Sequence, residues 1–159
     1  MEIGRFARGR GVFLMGKRSN SMKALSHHDR HFNDGVELFN QARFFDAHEA
    51  LEDAWREVPR DLPVKKHLQG MVQLAVAFHH QSTGNLVGAR SVLERALRNL
   101  RGGEESFPAL DFDLLRAELT PWRRFLHESQ SLDAKRTAGS DIRRKAPALP
   151  KIMRRSGGR

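Results

Sequence analysis

Cysteine is absent from the 159 residues, which excludes disulfides, thiolate nucleophiles, zinc fingers and iron–sulfur clusters together. Long apolar runs are also missing. The longest, Met71 to Phe78, is interrupted by Gln73 and falls far short of the ~20 residues of a membrane span. No membrane partner is expected. The run Gly11 to Met15 is too short for a secretory signal core and lacks a small-residue cleavage pattern after it, so a cytoplasmic location is expected. No stretch alternates apolar and polar residues between turn dipeptides. The expected fold is therefore all-α, and the length leaves room for one domain.

What is plentiful is positive charge, and it is unevenly placed. The chain carries a formal +9. Residues 30–130 hold 13 Lys and Arg against 15 Asp and Glu, whereas residues 1–29 and 131–159 together hold 15 against 4. Both ends mix Arg, Lys, Gly and Ser without an apolar period, the composition of segments that cannot repay their ordering entropy. The reading is a basic, disordered N-terminal tail over 1–29, a helical domain over 30–130 and a basic, disordered C-terminal tail over 131–159. Met15 and Met22 are alternative starts, leaving open whether residues 1–21 are translated. Such tails could contact nucleic-acid phosphates without sequence preference.

Between the tails, apolar residues recur at helical spacing. Phe32, Val36 and Phe39 give a first helix over about 31–42. Ala47, Leu51, Ala54 and Trp55 give a second, capped by Asp46 and closed by Pro59. Pro63 suits the first turn of a third helix running to Ser82. A fourth, from Ala89 to Leu100, stops at Gly102-Gly103. A fifth starts near Asp111 or Asp113, and Pro121 starts a sixth over about 121–129. The architecture expected is a bundle of five or six helices. Moving the second helix by 42 positions lays Ala47, Leu51, Glu52, Ala54 and Arg56 over Ala89, Leu93, Glu94, Ala96 and Arg98, which suggests two related helical hairpins.

Chemistry-bearing residues concentrate on two helices. His48, Glu52 and Trp55 stand at i, i+4 and i+7 and share one strip of the second helix. Gln69, Gln73 and His80 form a strip on the third, which is apolar on most other sides and hence expected to be central. The short connection makes the two helices antiparallel, so Glu52 falls level with Gln69 and His48 with Gln73. Three readings of this group are open. His48 and Glu52 could ligate a divalent metal. With Trp55 as an apolar wall, the group could line a pocket for a polar ligand, His80 and Asn85 completing the candidate set. The glutamines could instead simply hydrogen-bond the carboxylate and imidazole and hold helix register.

Phe39-Asn40, Phe44 to Glu52 with Trp55, Gln69-Gly70, Gln73-Leu74-Ala75, and Gly84-Asn85 with Gly88-Ala89 together resemble the family called domain of unknown function 309. Its HxxxExxW hallmark is matched by His48, Glu52 and Trp55, and the resemblance covers about residues 32–120. It implies a compact helical bundle with no established activity, some members carrying a metal-dependent hydrolase label. The functional expectation is an uncharacterised helical domain with a polar ligand or metal pocket at the motif. The alternative is a non-catalytic helical-hairpin module that binds a protein or peptide, or nucleic acid through its tails.

Overall fold

The computed structural model describes residues 30–133 and 145–156; the N-terminal tail of the sequence reading lies outside them. Among the described residues there are six helices and no strand. They are α1 (30–40), α2 (Phe44–Glu57), α3 (Pro63–Ser82), α4 (Leu86–Asn99), α5 (Gly103–Ser106) and α6 (Phe112–Asp133). No helix among them is long and apolar enough to cross a membrane.

The helices form two hairpins, α1–α2 and α3–α4, and these are copies in backbone detail. Each turn has one left-handed residue, Ala42 (φ 61°) in the first and Gly84 (φ 81°) in the second, separated by the same 42 positions. Four main-chain hydrogen bonds recur at the 42-residue offset. Arg43 N–H donates to Leu38 C=O at 3.0 Å and Asn85 N–H to His80 C=O at 2.9 Å. Ala47 N–H then reaches Arg43 C=O, as Ala89 N–H reaches Asn85 C=O, both at 2.9 Å. The shared apolar positions Ala47, Leu51 and Ala54, and Ala89, Leu93 and Ala96, are all buried. Gly84 adopts the left-handed conformation without a Cβ penalty, while Ala42 gives up about 1 kcal/mol there.

An aromatic cluster joins the hairpins to α6. Phe78 of α3 lies against Phe39 (5.7 Å between centroids), Phe44 (5.5 Å) and Trp122 (5.2 Å). Offset and edge-on contacts of this kind add to plain area burial. Beside it, α3 and α4 approach closely at Gly70, where a Cβ would stand 2.8 Å from Leu100 Cγ and 3.1 Å from the Leu100 backbone nitrogen. At the far end, buried His67 ties α3 to the segment after α4. Its Nε2–H donates to Arg101 C=O at 3.0 Å, and Nδ1 meets the Ser106 hydroxyl at 2.5 Å.

Three expectations need correction. The second helix begins at Phe44 rather than after Asp46, because the buried Phe44 ring packs on Phe39; Asp46 makes no N-cap and accepts from Arg43 Nε at 2.8 Å. The expected fifth and sixth helices are one helix, α6, with Pro121 inside it. A proline within a helix costs about 3 kcal/mol, but Leu115, Leu119, Trp122 and Leu126 form one buried stripe across it that only a continuous helix presents. Finally, the chain does not leave the domain at 131: α6 runs to Asp133, and residues 145–156 return to the bundle, with Ile152 only 3% exposed.

Between α4 and α6, Glu94 accepts from Arg123 through both carboxylate oxygens (2.6 and 3.0 Å), and His127 Nε2 lies 3.0 Å from Oε1. The Arg123 hydrogen bond holds the Glu94 carboxyl below its ordinary value of 4.5, with burial opposing and His127 assisting. A depressed carboxyl contributes its stability in full above the ordinary value and loses it as pH falls toward the folded-state value. Glu94→Gln should therefore destabilise the domain by about 1 kcal/mol at neutral pH, and the difference should vanish in acid. Urea denaturation at the two pH values checks this. Gly70→Ala should cost about 1 to 3 kcal/mol through overpacking against Leu100, despite alanine's better helix propensity, as a thermal melt will read.

Candidate functional site

The HxxxExxW motif arises from helical spacing on α2. Ala47, Leu51 and Ala54 take the core face, which leaves His48, Glu52 and Trp55 on its flank beside α3. All three are only partly buried. His48 Nε2 stands 3.5 Å from one Glu52 oxygen, and Arg56 Nη2 donates to the other at 2.9 Å. The carboxylate thus sits between an imidazole and a guanidinium on one helix surface. Trp55 serves α3: Lys65 Nζ lies 3.8 Å above its ring and also donates to the Trp55 main-chain carbonyl. This closes the C-terminal end of α2, where a cation also complements the helix dipole. Burial first, and then neighbouring Arg60, lower the Lys65 pKa from its ordinary value. The Trp55 indole N–H is buried without a hydrogen-bond acceptor among the described residues.

The glutamines stand elsewhere. Trp55 against Lys65 at one end and Phe45 against His79 at the other (5.6 Å between ring centroids) give α2 and α3 the antiparallel register expected, with Glu52 at the height of Gln69. Their side chains point differently, however. Gln69 is exposed, and Gln73 turns to α4, where its Oε1 accepts from Asn99 Nδ2 at 2.9 Å. The four groups do not meet inside the bundle. The sequence placed them correctly along the helix axis but not around it.

His48, His80 and Asn85 are drawn into one surface ridge by two residues absent from the candidate set. Phe45, 53% exposed, lies between His48 (6.1 Å) and His79 (5.6 Å). His79 neighbours His80 at 6.4 Å, and His80 Nδ1 is 3.3 Å from Asn85 Nδ2. Asn85 also has a structural task, since its Oδ1 caps α4 by accepting from Gly88 N–H at 2.9 Å. A Cβ on Gly88 would fall 2.5 Å from the Asn85 amide nitrogen, so a larger residue there would make the capping carboxamide shift. The signal for Phe45 was available in the repeat: it corresponds to Val87, which is 63% exposed, and an apolar residue at the exposed first turn of both hairpins breaks the amphipathic pattern twice.

For a metal, the donor set is incomplete. Among the described residues no cluster of three His, Asp or Glu side chains is placed to hold an ion, whereas catalytic zinc takes three protein ligands. A cavity of about 320 Å³ opens instead between α4 and α6, lined by Leu97, Leu100, Phe112, Leu115 and Leu119 with arginines at its rim, and it contains no residue of the motif.

Residues 32–92 match the family described as "Domain of unknown function (DUF309)". Among curated proteins, the chain is 32% identical over 78 residues to the uncharacterized protein YpuF of Bacillus subtilis (strain 168), a match covering 49% of this chain and 44% of that protein. It is 28% identical over 81 residues to an uncharacterized protein of Aquifex aeolicus (strain VF5), covering 51% of this chain and 24% of that protein. The chain therefore spans less than half the length of either relative. The family match contains the whole ridge.

With both Glu52 contacts on a partly exposed surface, Glu52→Gln and Glu52→Leu should each shift stability by less than about 1 kcal/mol, the usual scale of surface ion pairs. Urea unfolding followed by tryptophan fluorescence measures this, and a loss of several kcal/mol would mean that Glu52 serves a buried network after all.

Proposed function

We propose that the DUF309 domain carried by this chain is a non-catalytic interaction module that docks a protein partner on the hairpin-tip ridge. The observation that carries the proposal is the pair Phe45 and Val87: the same position in both hairpins offers an apolar side chain to solvent, 53% and 63% exposed. A single exposed apolar residue is ordinary. Its recurrence in the two copies, one of them flanked by imidazole rings, is the composition of a protein-contacting patch, in which apolar and aromatic groups combine with adaptable polar ones.

A hydrolytic reading has less support. Its candidate acid–base groups, His48 and Glu52, are committed to each other and to Arg56 on a partly exposed surface, whereas hydrolytic sites are usually enclosed to exclude water. Nucleic-acid binding through the tails involves residues chiefly outside the described ones, and two cations of the C-terminal segment, Lys151 and Arg154, already have partners on the bundle.

The test places a photoreactive amino acid at position 45, at position 87 and, as a control, at exposed Asp61 in the loop at the opposite end of α2. Positions 45 and 87 should crosslink the same protein in cells, and Asp61 should not. Phe45→Ser with Val87→Ser should leave stability within about 0.5 kcal/mol while weakening that partner about tenfold or more. Equal crosslinking from all three sites, or a hydrolytic activity lost in a folded His48→Ala chain, would overturn the proposal.

A further inference from the structure

Residues 148–155 are bound to the bundle in the manner of an extended peptide ligand. Trp122 Nε1–H donates to Ala148 C=O at 2.8 Å. The Asn40 carboxamide clamps the main chain of Ile152 from both sides, Nδ2 donating to its C=O at 2.9 Å and Oδ1 accepting from its N–H at 2.8 Å. The segment 109–111 adds an antiparallel edge: Asp111 N–H donates to Met153 C=O and Arg155 N–H to Ala109 C=O, both at 2.9 Å. Lys151 offers its N–H to the Glu118 carboxylate and its ammonium to Asn40 C=O. Arg154 Nη2 donates to Asn33 Oδ1 at 2.8 Å. Ile152 is sunk into the core at 3% exposed and Pro150 is also buried, while Leu149 and Met153 face solvent at 40% and 47%.

Almost everything that holds this segment reads a backbone, the two buried side chains Pro150 and Ile152, and two cations. We propose that the cleft between α1 and α6 is a binding site for an extended basic segment of a partner protein, with a branched aliphatic residue next to one cation and two residues before another. Residues 148–155 are its tethered occupant. Three features support the assignment. Main-chain pairing to a carboxamide and a loop edge is the chemistry by which domains accept foreign strands. Both cations find oxygen acceptors on α1, Lys151 at Asn40 C=O and Arg154 at Asn33 Oδ1, while the Glu118 carboxylate takes the Lys151 main-chain N–H. The occupant has no regular secondary structure and only two buried residues, Pro150 and Ile152, which places it at the low-stability end of the structure, where exchange is easiest. The segment is joined covalently to α6 through the chain between Asp133 and Lys145, so binding in cis competes with free peptides as an intramolecular event and masks the site. The inference does not depend on the hairpin-tip ridge.

The test uses the full-length chain and a fluorescent synthetic peptide of residues 145–156. In the Ile152→Asp chain the tethered segment is released, and it should bind the peptide one to one, about tenfold or more tighter than the wild-type chain does. Adding Asn40→Ala should remove about tenfold of that affinity, a peptide with aspartate in place of Ile152 should not bind, and Phe45→Ser should change nothing. The milder Ile152→Ala chain gives the same comparison if Ile152→Asp fails to fold. Equal binding by wild-type and released chains, binding indifferent to the aliphatic residue, or no binding to a folded released chain would overturn the proposal. So would a dimer that exchanges its C-terminal segments, which would assign the cleft to a second copy.

Discussion

The left-handed residue in each hairpin turn is the constraint on which the rest of this structure depends. A helix that stops at a left-handed residue turns its chain back within three residues, and the next helix starts at a fixed angle and height. Because the turns at Ala42 and Gly84 are the same, the following helices present the same faces in the same order. Both place an alanine–leucine–alanine stripe against the core. Both also push the residue two positions beyond the turn's last residue out into solvent, where Phe45 and Val87 stand. The exposed ridge is thus a consequence of turn geometry and could not be moved without rebuilding the hairpins.

Much of the fold was legible because it rests on periodicity and breakers. Helices α3 and α4, the proline that opens α3, the glycines after α4 and the 42-residue relation all follow from side-chain spacing alone. The candidate site was legible only in part. His48, Glu52 and Trp55 do share a strip, and the register between α2 and α3 follows from the short loop. What spacing along one helix cannot supply is the rotation of its neighbour. Gln73 was free to face α2 or α4, and the carboxamide of Asn99, a residue of no note in the sequence, decided the matter. Phe45 was passed over because the motif drew attention to charged and amide groups, although its ring is what connects His48 to His79.

The C-terminal region was illegible for a different reason. Its attachment is carried by main-chain atoms and two buried residues, Pro150 and Ile152, none of which leaves a repeating trace in sequence. A basic, proline-containing segment reads as solvated whenever its partners, here Asn33, Asn40 and Glu118, lie more than thirty or a hundred positions away. Pro121 misled in the opposite direction. A local breaker outweighs local propensity on paper, whereas the buried stripe of α6 is a tertiary quantity that proline cannot veto at a position where its ring faces solvent.

The contact of Arg154 with Asn33 has a topological corollary. The first described helix and the last described segment lie side by side, so the backbone of this domain is close to a closed ring, with its opening at one edge of the α1–α6 cleft. In a ring, the place where the chain is cut is a matter of covalent convenience, and domains whose ends adjoin tolerate relocation of those ends. Joining residue 156 to residue 30 through a short flexible bridge and reopening the chain at the exposed Arg60–Asp61 loop would keep both hairpin turns and the core contacts while placing the new termini between the hairpins. The order of elements along the chain is therefore separable from the shape they make.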